Sequence, residues 1–300
     1  MTQEVPAASQ EAICRFAQLV RSGAVTSADG PLRLGVDLGT ANIVLAVVDA
    51  AGRPVAGAWQ AAGVVRDGIV VDYLGAVSHV RRLKEKLEYA LGHHFDQASV
   101  DIPPAISPGD RQIFANVLTA CDLSVTEIVD EPVAAARVLQ LRDGCVIDIG
   151  HGTTGVSVLA DGRVVHSADQ ATGGHHMTLV LAGRLGLGYD EAEAFKKDPH
   201  HQAEVNSIVT PTLQKMATIA RDIIAGYRTP VIYLVGGASS LTVAPAIFEQ
   251  VLGQAVIHPD EPLFVTPLGV PMWPPLDTAD TTSTFDTTPA LAGLKEADYA

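Results

Sequence analysis

The strongest constraint on this chain is a pattern that it contains twice. Leu34-Gly-Val-Asp37-Leu-Gly39-Thr40 leads into the apolar run Ile43-Val-Leu-Ala-Val-Val48 and a turn at Ala51-Gly52-Arg53, while Val146-Ile-Asp148-Ile-Gly150 leads into Val156-Ser-Val-Leu159 and a turn at Asp161-Gly162-Arg163. The two aspartates, at 37 and 148, lie 111 residues apart. β-branched runs on either side of a glycine turn read as strand, turn, strand. Repetition of that unit at one long spacing points to two related halves. Alternating strand and helix patterns follow, among them Ser78 to Leu91, with Val80, Leu83, Leu87 and Leu91 on one face, and Arg111 to Cys121, with Ile113, Val117 and Leu118. Such alternation makes an α/β chain.

The second copy runs on as Asp148-Ile-Gly-His-Gly-Thr-Thr-Gly155, which contains a literal G-x-G-x-x-G. That spacing cradles a dinucleotide only where a helix follows, because the helix N-terminus presents the free N–H groups. Here a hairpin follows, with Asp161-Gly162 at its tip, so the Rossmann reading falls. A glycine loop entering a hairpin offers a phosphate its turn N–H groups and hydroxyls instead. A third glycine turn comes late, where Val231-Ile-Tyr-Leu-Val235 runs into Gly236-Gly237-Ala-Ser-Ser240, and strand C-termini of this kind are where α/β sheets place ligands.

Composition narrows the function classes. The formal net charge of -14 repels nucleic acid and anionic membrane surfaces, and the basic run Arg81-Arg82-Leu-Lys84-Glu-Lys86 has the spacing of a solvated helix face. Cys14, Cys121 and Cys145 are too few and too scattered for a disulfide framework or a zinc site, which fits a cytoplasmic setting. The first residues lack a basic start followed by an apolar core, and no uninterrupted apolar run reaches about 18 residues, so neither secretion nor membrane spanning is expected. The pairs His93-His94, His175-His176 and His200-His201 lack the spacing of metal ligands, since adjacent side chains point apart. No Walker lysine loop and no G-x-S-x-G elbow occurs. Residues 1–30 read as an amphipathic helix and linker, with Ser9 as N-cap, Ile13, Phe16, Ala17 and Val20 on one side and Gly23 as the stop. That helix either packs back on the body, as amphipathic helices usually do, or serves as a docking peptide. The halves are expected at 31–143 and 144–275, and the Thr/Asp-rich segment 276–300 is expected to be disordered.

Taken in order, GVDLGTAN (Gly35 to Asn42), DEPVAAA (Asp130 to Ala136), DIGHGTTG and LVGGASS (Leu234 to Ser240) resemble the first phosphate motif, connecting helix, second phosphate motif and adenosine motif of the actin, heat-shock chaperone and sugar kinase superfamily of ATPases. The resemblance implies the actin-like ATPase fold: two duplicated ribonuclease-H-like domains facing across a nucleotide cleft, with ATP and Mg2+ between twin hairpins. Within the superfamily, Val65-Arg-Asp-Gly-Ile-Val-Val-Asp72, the TGGHH at Thr172 to His176 and Pro267-Leu-Gly269 are most similar to the EutJ type of ethanolamine-utilisation protein.

On this resemblance Asp37 and Asp148 hold Mg2+ through water, a better use of a strand-end carboxylate than turn capping, and Asp148 also serves hydrolysis. Gly39, Thr40 and Ala41 in the first loop, and Gly150, His151, Gly152, Thr153 and Thr154 in the second, contact phosphate, while Gly236 and Gly237 contact adenosine. Glu131 either orients the attacking water or merely suits a helix N-terminus. Two departures stand out. The acidic residue usual after the second phosphate motif is replaced by Gly155, which should slow hydrolysis, so that a carboxylate restored there should speed it. His151 stands where glycine is usual, and no lysine of the first half is assigned to the γ-phosphate. The expected function is a nucleotide-dependent chaperone or assembly factor with slow hydrolysis. Its client would be a protein of ethanolamine catabolism, ethanolamine ammonia-lyase or the microcompartment shell, and the setting cytoplasmic and microcompartment-associated. Competing expectations are a small-molecule kinase and a nonhydrolysing scaffold or filament subunit.

Overall fold

The structure, a computed structural model, describes residues 4–66 and 68–272; the segment 276–300 lies outside them. The duplication is realised as two sheets. The first half contains β1 (Arg33–Leu38), β2 (Asn42–Val48), β3 (Pro54–Ala61), a small hairpin of β4 (Val65–Arg66) and β5 (Ile69–Val70), β6 (Gln97–Ile102) and β7 (Ser124–Asp130). Its main sheet has the order β3-β2-β1-β6-β7, antiparallel through β1 and parallel beyond it. In the second half β8 (Gly144–Ile149), β9 (Thr154–Ala160), β10 (Arg163–Gln170) and β11 (Ile232–Val235) give the order β10-β9-β8-β11 with the same directions. A fifth position is sketched by Ile257, which forms a parallel bridge to Tyr233, receives the Leu234 N–H and donates to the Ile232 carbonyl. The two sheets therefore share one topology.

Helices fill the crossovers. In the first half α2 (Tyr73–Leu91) and α3 (Pro108–Thr119) cover one face of the sheet, burying Val80, Leu83, Phe114 and Leu118 against Val36 and Leu45. Asp72 caps α2 by accepting the Gly75 N–H, so this helix begins one and a half turns before Ser78, ahead of the segment whose apolar spacing announced it. In the second half α5 (Gly174–Leu185), α6 (Tyr189–Lys197), α7 (Gln202–Ile224) and α8 (Ala244–Leu252) bury Leu181, Leu213 and Phe248 against Ile147 and Val158. The inner faces of the two sheets meet a shared core containing Val44, Ala46, Val146 and Val235, through which α4 (Glu131–Val138) and α9 (Val265–Gly269) cross. These crossing helices touch backbone to backbone: a Cβ on Gly269 would lie 1.9 Å from the Ala134 carbonyl oxygen, so only glycine fits there.

The N-terminal helix α1 (Ala7–Ser22) packs back on the body. Ile13, Phe16, Ala17 and Val20 are buried in the shared core, Phe16 meets Phe264 edge to face at 5.9 Å, and Arg21 forms a two-pronged ion pair with Glu261. The docking-peptide alternative is set aside by that burial. Gly23 stops the helix in the left-handed region, as its spacing indicated, but the N-cap is Pro6 rather than Ser9. Ala7 and Ala8, good helix formers, extend the helix upstream, and Ser9 turns inward to become 3% exposed. Among the described residues no helix is long and apolar enough to cross a membrane.

Candidate functional site

The ends of β1, β8 and β11 converge on a cavity of about 380 Å³ between the halves. Twelve of the thirteen residues singled out from the sequence line it: Asp37, Gly39, Thr40, Ala41, Glu131, Asp148, Gly150, His151, Gly152, Thr153, Gly236 and Gly237. Thr154 alone stays outside. It is fully buried at the start of β9 and donates to the Thr172 carbonyl at 2.7 Å, fastening the second loop to the TGGHH segment rather than facing the cavity.

Close backbone approaches shape this wall, which is why glycine recurs in it. A Cβ on Gly236, whose φ is 88°, would sit 2.2 Å from Asp148 Oδ1 and 2.5 Å from the Ile149 carbonyl oxygen, so the third turn lies directly on the second aspartate. Gly173 is pressed against the Gly150 and His151 carbonyls, whose oxygens accept the N–H groups of Gly174 and His175 at 3.0 and 2.7 Å. The second loop is thereby stitched to the first turn of α5. His151 fits because its ring is led away: Nε2 meets the Tyr189 hydroxyl at 3.0 Å, and the same hydroxyl meets His175 Nδ1 at 2.8 Å. Burial, aided by the Lys196 charge, pushes the His151 imidazole down to about 4, so it is neutral at neutral pH.

The floor of the cavity is acidic. Asp37 is pushed up to about 7, first by burial and then by the Asp148 charge; Asp148 is pushed up to about 6 by burial, against a hydrogen bond from Thr266 Oγ1 to its Oδ2. Glu131 and Asp101 are held well above the carboxylate range by burial and by the other members of the group. Asp101 Oδ2 is buried with no hydrogen-bond partner. Clustered carboxylates without a counter-cation, one of them with an orphaned oxygen, are the donor set of a hard divalent cation. Among the described residues no three acidic, His or Cys side chains converge closely enough to ligate one ion directly, so the fit is to a cation held through its water shell, as Mg2+ commonly is.

Several cavity residues escaped sequence reasoning. Lys196 and Lys197 on α6 supply cations from the second half, the side on which no lysine had been sought. Lys196 Nζ bonds Glu193 Oε2 at 2.7 Å, Thr178 Oγ1 at 2.6 Å and the Gly174 carbonyl at 3.0 Å, and Lys197 bonds Glu193 Oε1 at 2.9 Å. Burial works against the Glu193 charge, but the two lysines overcome it and hold the carboxyl at about 2. Thr266 of α9, which lines the cavity, was missed as well, and so was Asp101 of β6, a buried carboxylate behind the lining. The signal for α9 was present in the sequence: Asp260-Glu261-Pro262 repeats the Asp130-Glu131-Pro132 that opens α4.

Twin sheets of one topology, two crossing helices and an acidic cleft between glycine hairpins define an actin-like ATPase fold. Models of cell division protein FtsA and of MreB/Mbl protein match residues 145–272 and 55–182. The crystal structure of MreB5 of Spiroplasma citri bound to AMPPNP superposes with a TM-score of 0.66 over 80% of this chain and 95% of that one at 14% identity, a likeness of fold. Ethanolamine utilization protein EutJ of Salmonella typhimurium is 42% identical over 245 residues, 81% of this chain and 86% of its own length. The crystal structure of EutJ from Carboxydothermus hydrogenoformans has a TM-score of 0.82 at 43% identity, covering 87% and 97%. The chain belongs to the EutJ family of ethanolamine utilization proteins.

Proposed function

We propose that the protein is a nucleotide-dependent chaperone or assembly factor of ethanolamine catabolism, in which MgATP bridges the two halves and closure of the cleft changes affinity for a client protein. The observation that carries this reading is the acidic floor shared by both hairpins. Asp37 from one half and Asp148 from the other share one cavity and make no ion pair among the described residues, so a ligand that brings a divalent cation relieves their repulsion and draws the halves together. The glycine loops at Gly39 to Ala41 and Gly150 to Thr153 then offer N–H groups and the Thr40 and Thr153 hydroxyls to phosphate oxygens. Lys196, Lys197 and Glu193 lie on the second-half side with Gly236 and Gly237, where they would meet the sugar and base. The metal, when bound, supplies charge neutralisation between phosphates and carboxylates; Glu131, beside it in the floor, would orient a water. An MreB structure bound to AMPPNP supports nucleotide as the ligand class, and the EutJ relatives support ethanolamine utilisation as the setting, cytoplasmic or microcompartment-associated.

Calorimetry with MgATP, MgADP and a nonhydrolysable analogue, followed by phosphate release on the same sample, tests the reading. Binding with slow or client-stimulated release is expected. Absence of binding to all three would defeat it, and fast phosphorylation of a small molecule would replace it with a kinase.

A further inference from the structure

Asp101 is a buried acidic residue behind the cavity lining that no motif announces, and the fold says which way it faces. Gly35 of β1 stands opposite Ser99 of β6 and Val36 opposite Val100, so one further step along the parallel register brings Asp101 beside Asp37. Residues two apart share a sheet face. Ser99 lies on the face turned toward the other half, where its hydroxyl donates to the Val270 carbonyl at 2.8 Å, and Asp101 therefore looks the same way. The residue is 1% exposed, its Oδ2 has no hydrogen-bond partner, and the charges that bear on it are those of Asp37, Glu131 and Asp148. A buried carboxylate without a partner is expensive, and a strand position between Val100 and Ile102 has no need of one.

Resting on the nucleotide reading above, we propose that Asp101 is a further cation-holding residue of the cleft, gripping through water, from the strand beside Asp37, the divalent metal that accompanies the nucleotide. Metal affinity is then set by the hairpin aspartates together with a carboxylate from β6. The same residue opposes folding of the metal-free protein and strengthens the metal-loaded one. A purely structural side chain would lack this reversal of sign.

The test compares full-length wild type with Asp101→Asn by thermal unfolding in EDTA and by calorimetry of ATP binding with and without Mg2+, with Mn2+ in place of Mg2+ for electron paramagnetic resonance of the bound metal. The variant should melt about 2–4 °C higher in EDTA. Its Mg2+-dependent gain in ATP affinity should fall about tenfold, with a matching loss in Mn2+ affinity. Asp101→Thr, uncharged and suited to a strand, gives the same reading if the asparagine variant folds poorly. A lower melting temperature in EDTA for both variants, or an unchanged metal dependence in either, would overturn the proposal. Wild type that binds no ATP, with or without metal, would instead defeat the nucleotide reading on which it rests.

Discussion

The two halves repeat one topology and then part ways at the same tripeptide. Asp130-Glu131-Pro132 and Asp260-Glu261-Pro262 each introduce a crossing helix, α4 directly and α9 after a short turn at Pro262–Phe264. Glu131 is buried among carboxylates and makes no ion pair among the described residues, whereas Glu261 receives two 2.6 Å hydrogen bonds from Arg21 of α1. The outer strands diverge likewise. β3 is roofed by α1, with Val20 and Phe16 seated 2.5 and 2.6 Å from where a Gly57 Cβ would lie, while among the described residues no helix roofs β10 and Val164 and Val165 are exposed. Duplication supplies the frame, and the asymmetric additions decide its use. One glutamate lines the cavity; its counterpart is satisfied internally.

The comparison breaks most severely at α1. Phe16→Ala should destabilise the protein by about 3–5 kcal/mol, since Phe16 is fully buried between Gly57 and Phe264; chemical denaturation measures it, and a loss under about 1 kcal/mol would mean that α1 is dispensable. Next come the paired aspartates. Asp37→Ala and Asp148→Ala should each weaken Mg2+-dependent ATP binding on the order of a hundredfold, roughly 2.7 kcal/mol, without unfolding the chain; calorimetry that finds both at wild-type affinity would remove the shared site.

The structure redirects the expectation for Gly155. Asp148 and Asp169 flank it in register, and a Cβ there would lie 3.2 Å from Pro132, 3.3 Å from Pro104 and 3.5 Å from Asp169 Oδ1. Gly155→Asp should therefore cost about 1–3 kcal/mol through overpacking and repulsion from Asp169. Faster phosphate release from a variant as stable as wild type would show that the wall yields.

A smaller effect concerns pH. Asp37 titrates near 3.8 unfolded and at about 7 in the metal-free fold, raised chiefly by burial. The folded state therefore holds an extra proton in that window, and this contribution to stability is full below about 4 and lost as pH rises through 7. Asp37→Asn should flatten the decline of melting temperature between pH 5 and 8 in EDTA; an unaltered slope would argue against it. Smallest of all, Glu261→Gln breaks a largely surface ion pair and should change stability by under about 1 kcal/mol, against a gain in metal-free stability for Glu131→Gln, both read by denaturant titration.

Much of this was legible because glycine and aspartate act locally. A hairpin needs its Asp161-Gly162 tip, with φ of 52° and 76°, wherever it occurs, so the twin hairpins and their loops could be read from spacing alone. Lys196 and Glu193 could not, because they sit on an ordinary polar helix face and become cavity residues only when α6 folds over the second loop. Asp101 needed the β1–β6 register, and Thr154 needed the knowledge that its neighbour Thr153 already takes the cavity side. The inward turn of Ser9 likewise depends on tertiary burial rather than on local capping preference.

The meeting of Gly269 with Ala134 is the keystone of the crossing between α4 and α9. Where glycine lets one helix rest on its neighbour's main chain, the separation is set by backbone atoms that no change of rotamer can relieve, so this contact fixes how closely the elements joining the halves are stacked. Any larger residue at 269 would act as a wedge between α4 and α9, since even a methyl group would overlap the Ala134 carbonyl.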